Sequence, residues 1–153
     1  MVIGIIGESC TGKSTLADQL KRTLQAQVFT GKDYLRLAKG EALAQNLFRK
    51  KLEEAAPDEH ILYVVSEAEH LQLLPENAIR ILVTADLETI KERFARRMGG
   101  NMPAPVAAML EGKHGCFDGV AHDLHLVSGQ FDPDEVCARV ERMIADASAP
   151  GAR

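Results

Sequence analysis

The stretch "VIGIIGESCTGKSTLADQL", Val2 to Leu20, runs from an apolar strand through a turn of small and hydroxyl-bearing residues into a helical repeat. Within it, "GESCTGKS" (Gly7 to Ser14) fits the spacing G-x-x-x-x-G-K-[ST] in the one context where that spacing has a mechanism, directly after a strand and opening a helix. Such a loop turns its backbone N–H groups inward as a nest for an anion, and the start of the following helix adds positive potential there. Gly7 and Gly12 allow a backbone path that a Cβ would obstruct. Lys13 is placed for the β- and γ-phosphates of a nucleoside triphosphate, Ser14 for Mg²⁺ and Thr15 for the α-phosphate. Glu8, Ser9, Cys10 and Thr11 complete the expected phosphate cradle. Cys10 has two readings: a thiol acidified by the helix start, or a small residue that the loop tolerates.

Working outward, apolar runs alternate with helical patterns, the signature of a parallel sheet covered by helices. "VIGII" reads as the first strand, and Leu16, Leu20 and Leu24 give the next helix one apolar face. "AQVFT" predicts a second strand, followed by helical stretches over "KDYLRLAKGEALAQNLFRKKLEEAAP" that break near Gly40 and end by Pro57. "HILYVV" predicts a third strand, "EAEHLQLL" a helix stopped by Pro75, and "AIRILVTA" a fourth strand. The helix over "DLETIKERFARRM" should bury Leu87, Ile90, Phe94 and Met98. "GGNMPAPVAAMLEGKHGCFDG", about residues 99–119, breaks the alternation as a surface excursion carrying one short amphipathic helix, with Met98, Met102 and Met109 packing around it. "LHLV" predicts a fifth strand. The closing helix starts on Asp132 as N-cap, with Pro133 in the first position and Glu135 completing a capping box. The tail "SAPGAR" reads as frayed. The expectation is an α/β fold, a doubly wound five-stranded parallel sheet with helices on both faces, in a single domain over residues 1–153.

Composition narrows the function. A net charge of -4 leaves no dominant basic surface, so nucleic acid and anionic membrane are disfavoured as partners, and an anionic ligand must be caught by clustered cations. The N-terminus lacks the basic segment and cleavage site of a secretion signal, and no apolar run approaches the ~20 residues that cross a bilayer. Cys10, Cys116 and Cys137 are scattered and form no CxxC pair, which fits a reducing cytoplasm. His60, His70, His122 and His125 show no ligand spacing and read as structural or exposed.

Arg93 and Arg97 stand four apart on one helix face, just before a hinge-like Gly99–Gly100 pair. With these residues the chain resembles the nucleoside monophosphate kinases, adenylate and cytidylate kinase above all, over most of its length. The resemblance implies ATP as donor. It also implies an arginine near the adenine and a second, four residues later, clamping the transferred phosphoryl group, as Arg93 and Arg97 are spaced, with Arg96 available to help. The family's acceptor sequence after the second strand is similar to "TGKDYLR", which keeps Thr30, Gly31, Asp33 and Arg36 with Lys32 inserted. "SGQFDPDEV" is similar to the turn bordering the base, so Gly129, Gln130 and Phe131 are implied to flank it, and the excursion from Asn101 to Gly119 corresponds to a short lid.

A departure from the family pattern keeps alternatives open. The family's Asp-Gly-Phe-Pro-Arg run after the third strand is replaced by "SEAEH", where Glu67 either orients Mg²⁺ through water or merely starts the next helix. Without that arginine a monophosphate acceptor depends on Arg36 and Lys32. Shikimate and gluconate kinases share the general plan, and there an aspartate placed like Asp33 receives an acceptor hydroxyl. Lys113 and His114, between two glycines, either touch phosphates or stay solvated. The competing functions are a small ATP-dependent kinase, acting on a monophosphate or a hydroxylated metabolite, and an ATP-binding regulatory module without turnover.

Overall fold

A computed structural model of the chain describes residues 1–148. Of the "SAPGAR" tail, only Ser148, the last residue of the final helix, falls within that range, so the expected fraying lies outside the described residues. Strand β1 (Val2–Ile6) is central and buried along its whole length. It pairs in parallel with β3 (Ile61–Val65) on one side and β4 (Ile79–Thr84) on the other, in the register Ile6 to Val65 and Ile6 to Leu82. β2 (Gln27–Thr30) and β5 (Leu124–Val127) close the two edges, giving the order β2-β3-β1-β4-β5 with every pairing parallel. A strand covered on both faces needs no polar side, which is why "VIGII" and "ILYVV" are unbroken apolar runs.

The period of two along each strand sorts these residues into two cores. Ile3, Ile5, Leu62, Val64, Ile81 and Val83 face helices α1 (Lys13–Leu24) and α5 (Pro133–Ser148). Val2, Ile6, Tyr63, Val65 and Leu82 face the opposite layer, where α2 (Glu41–Glu53) contributes Ala44, Phe48 and Leu52. The sheet is thus doubly wound, as the alternating pattern predicts. Asp132 caps α5 through an Oδ1 that accepts from the Asp134 N–H at 3.0 Å.

Four local expectations are corrected. The helical pattern from Lys32 starts with a 3-10 turn (Asp33–Leu37), because the Asp33 carboxylate turns back to accept from the Thr30 N–H at 2.8 Å and Ala38 is extended; α2 runs from Glu41 to Glu53, with the break at Gly40 and the stop before Pro57 where the sequence places them. "EAEHLQLL" is likewise a 3-10 segment (Ala68–Leu73), too short between β3 and Pro75 to repay an α-helical nucleus. Helix α3 (Leu87–Arg97) buries only Ile90 fully, with Phe94 partly buried and Met98 exposed. It does not lie back on the sheet; it packs on α4 (Ala104–Lys113), with Ile90 against Ala85 and Leu110. The helix of the excursion is not a clear amphipath either, since Leu110 is its one buried residue and Met109 is exposed, while Phe117 anchors the following turn in the second core.

Candidate active site

The phosphate loop leaves the carboxyl end of β1, the edge of an open parallel sheet where ligands bind. A Cβ on Gly7 would lie 2.4 Å from the Val83 carbonyl oxygen, so close passage beside β4 requires glycine here. Gly12 takes φ 94°, a left-handed turn into α1. Cys10 also has a positive φ of 66°, which costs a residue bearing a Cβ ~1–2 kcal/mol. The Gly7 N–H bonds the Val65 carbonyl at 3.0 Å and the Leu16 N–H bonds the Gly12 carbonyl at 3.4 Å; the backbone N–H groups between them, Glu8 to Thr15, have no protein acceptor among the described residues. Free amides around a loop with a helix start at its end form a concave set of donors of the kind that suits an anion.

Lys13 is buried, and its Nζ donates back to the Glu8 carbonyl, which the Thr11 hydroxyl also meets at 2.9 Å. Burial pulls Lys13 down to about 8, the nearby Arg97 adds to the shift, and Cys10 and Glu8 oppose it. The ammonium is thus held inside the loop without a carboxylate of its own.

Arg93 and Arg97 come to this loop. Arg93 Nη1 donates to the Cys10 carbonyl at 3.0 Å and to Ser128 Oγ at 2.7 Å, tying α3, the loop and the end of β5 together. Both arginines line a cleft of about 320 Å³ with Cys10, Thr11, Gly12, Thr15, Gly129 and Phe131. Arg97 also lines an adjoining cavity of about 150 Å³ over Ser9, Lys13 and Ser14, walled by Thr30 and Ser66. Phe131 sits at the border of a third cavity, along β5 and α5, and Gln130 faces that cavity rather than the arginine cleft. Ser128 is the site residue that sequence reading missed; it directly precedes the quoted Gly129, but a contact spanning 35 residues leaves no trace in local spacing.

Around the end of β2, and at the turn after α4, the groups are less free. Asp33 is engaged with the Thr30 N–H. Arg36 Nε donates to the Asp33 carbonyl at 3.2 Å, and its guanidinium lies 5.4 Å from the Phe29 ring centre. Lys32 lies near Glu41, at 3.7 Å. Glu67 receives Lys113 on both carboxylate oxygens, at 2.9 and 3.0 Å. The loop carboxylate of Glu8 faces His114 Nδ1 at 3.1 Å and accepts from the Gly115 N–H at 3.2 Å. Lys113 and His114 are therefore neither free solvent groups nor bare phosphate ligands; they rest on carboxylates.

The oxygen donors beside the loop suit Mg²⁺. Ser14, with an exposed side chain, shares a cavity with Ser66 beside the phosphate nest, and these hydroxyls with a Glu67 oxygen are the hard oxygen donors that Mg²⁺ takes alongside phosphate and water. Among the described residues no group of three acidic, histidine or cysteine side chains is placed to hold a metal ion by itself. The residues fit, provided that Glu67 gives up Lys113.

No protein-family model matches the chain, and neither does any curated protein. Solved structures do match in fold. A sugar kinase from Janibacter sp. aligns with TM-score 0.62 at 16% identity, over 99% of this chain and 96% of that one. A gluconokinase from Sinorhizobium meliloti gives 0.62 at 14%, over 97% of each chain, and a shikimate kinase from Aquifex aeolicus 0.54 at 18%, over 99% and 100%. The chain thus shares its overall fold with these three structures. No helix among the described residues is long and apolar enough to cross a membrane.

Proposed function

We propose that the chain is a phosphotransferase that moves the γ-phosphoryl group of ATP, bound with Mg²⁺, to a small acceptor. The observation that carries this reading is the convergence of Lys13 from α1 with Arg93 and Arg97 from α3 on one nest of free amides. A protein that only holds a nucleotide gains little from cations gathered where charge spreads in a transferring phosphoryl group. The triphosphate lies along Ser9 to Thr15, with the base between Arg93 and Phe131. Arg97 borders both the cleft and the cavity over Lys13, so it is the cation suited to the transferred group. Mg²⁺, when bound, neutralises developing charge on the β- and γ-oxygens; Ser14 and Glu67 would hold it.

The acceptor we favour is a small hydroxylated metabolite rather than a nucleoside monophosphate. Arg36, which a monophosphate would need, is stacked on Phe29 and bonded to the backbone. Kinases of gluconate, shikimate and sugars share the fold. Asp33, beside Thr30 at the acceptor edge, orients the hydroxyl once it leaves the Thr30 N–H. The test is a coupled ADP-release screen over hydroxylated metabolites, with nucleoside monophosphates as the second panel. Acceptor-dependent release identifies the class. ATP binding without release from any acceptor supports the regulatory module instead, a reading that the ion-paired state of Glu67 favours.

A further inference from the structure

The end of the lid is fastened by charge more than by packing. α4 buries only Leu110, and beyond it Phe117 is the next buried side chain. Between those anchors, Lys113 sits on both oxygens of Glu67 while His114 and Gly115 meet Glu8. Glu8 belongs to the phosphate loop. Glu67 follows Ser66, and Ser66 lines both the cavity over Lys13 and Ser14 and the one shared by Glu67 and Lys113. Two carboxylates therefore border the place where a polyphosphate would bring several negative charges.

An uncompensated carboxylate there would repel the ligand, so Glu67 needs a cation at all times. An ammonium that donates to both oxygens occupies the approach a divalent ion would use, and two cations on one carboxylate repel each other. We propose that Lys113 is a stand-in cation: it neutralises Glu67 while the site is empty, and the divalent ion of a metal–triphosphate complex displaces it, loosening the segment from Lys113 to Cys116, which is then tied only to Glu8 through His114 and Gly115. The proposal rests on the phosphotransferase reading, because it needs a triphosphate at the loop. Displacement is within reach of a divalent ion, since Lys113 and Glu67 are 48% and 47% exposed and such half-solvated pairs are weak. Leu110 and Phe117 keep both ends of the segment seated, so the exchange changes the local order of the lid without unfolding it.

The experiment compares the affinity for ATP with Mg²⁺ and with Mg²⁺ chelated, in the wild type and in Lys113→Met, alongside hydrogen exchange of the amides from 112 to 116. In the wild type, MgATP should speed that exchange and metal-free ATP should not. Lys113→Met should exchange fast from the start. It should bind MgATP about tenfold more tightly, the scale on which groups around a metal ligand tune its affinity, and bind metal-free ATP more weakly because Glu67 is left bare. Lys91→Met breaks the other ion pair on α4, Lys91 with Glu111, and should leave the Mg²⁺ dependence unchanged. If Lys113→Met binds ATP with the wild-type Mg²⁺ dependence, the stand-in role is overturned while the phosphotransferase reading stands. If Lys91→Met shifts that dependence equally, the effect is loosened packing and the stand-in role is again overturned. A wild type that binds no triphosphate overturns the phosphotransferase reading and this inference with it.

Discussion

Burying the Lys13 ammonium draws its pKa from the ordinary lysine value of 10.5 down to about 8, with Arg97 pushing the same way. The folded, empty protein therefore binds fewer protons on Lys13 than the unfolded chain between about pH 8 and 10.5, and the cost of the buried charge is present below that window and relieved above it. Phosphate oxygens beside Lys13 favour its charged form. Affinity for a triphosphate should thus fall as pH rises through about 8, and binding at about pH 9 should take up most of one proton. Calorimetry in two buffers of different ionisation enthalpy reads that uptake, and Lys13→Met should abolish it. Arg97 belongs to the same scale. Its exposed guanidinium borders both parts of the site without binding any loop carbonyl, unlike Arg93. Arg97→Ala should lower turnover by ~10³ with little change in nucleotide affinity, whereas Arg93→Ala, which also frees the Cys10 carbonyl and Ser128, should weaken nucleotide binding as well. Steady-state kinetics beside equilibrium titration separates the two.

Among the elements, α3 explains why the site exists. In an ordinary crossover the helix lies back across the sheet, and the spacing of Leu87, Ile90, Phe94 and Met98 suggests one that does so. Instead, α3 packs on α4, so its later turns project beside the phosphate loop; the same geometry that exposes Met98 delivers Arg93 to Cys10. Phe94→Ala should therefore loosen α3 against α4 and cut turnover more than stability, since Phe94 is only partly buried in a small cluster; urea denaturation and kcat measured on one sample decide it. α5 offers the contrast of an element fixed locally. Its N-cap bond from Asp134 N–H to Asp132 was legible in "DPDE", and Asp132→Ala should cost ~1 kcal/mol in the same urea experiment. The two 3-10 segments look like α-helix in the sequence because inward-facing residues three or four apart, such as Tyr34 with the partly buried Leu37 and His70 with Leu73 and Leu74, suit either helix over so short a run. What decides between them is the Asp33 bond to Thr30 and the distance to Pro75.

At the scale of the molecule, strands and sites differ in what a linear sequence records. A strand buried on both faces must be apolar at every position, so the chain states its own place in the sheet. The contacts that shape the site span 83 residues from Arg93 to Cys10, 46 from Lys113 to Glu67 and 106 from His114 to Glu8, and no spacing rule reaches so far. The loop escaped that limit because its free backbone N–H groups fall within eight residues of sequence, Glu8 to Thr15. That division makes the loop testable apart from everything around it. If free amides and Lys13 carry the recognition, the phosphates matter more than the base. Inorganic triphosphate should then stabilise the folded chain nearly as well as ATP, and adenosine hardly at all. At a hundredfold excess over the dissociation constant a ligand adds ~2.7 kcal/mol, which in a chain of this size raises Tm by about 5–10 °C. A thermal melt with each of the three ligands measures it. Stabilisation by adenosine equal to that by ATP would move recognition from the loop amides to the cleft at Phe131, and Lys13→Met would then keep the shift that the phosphate account requires it to lose.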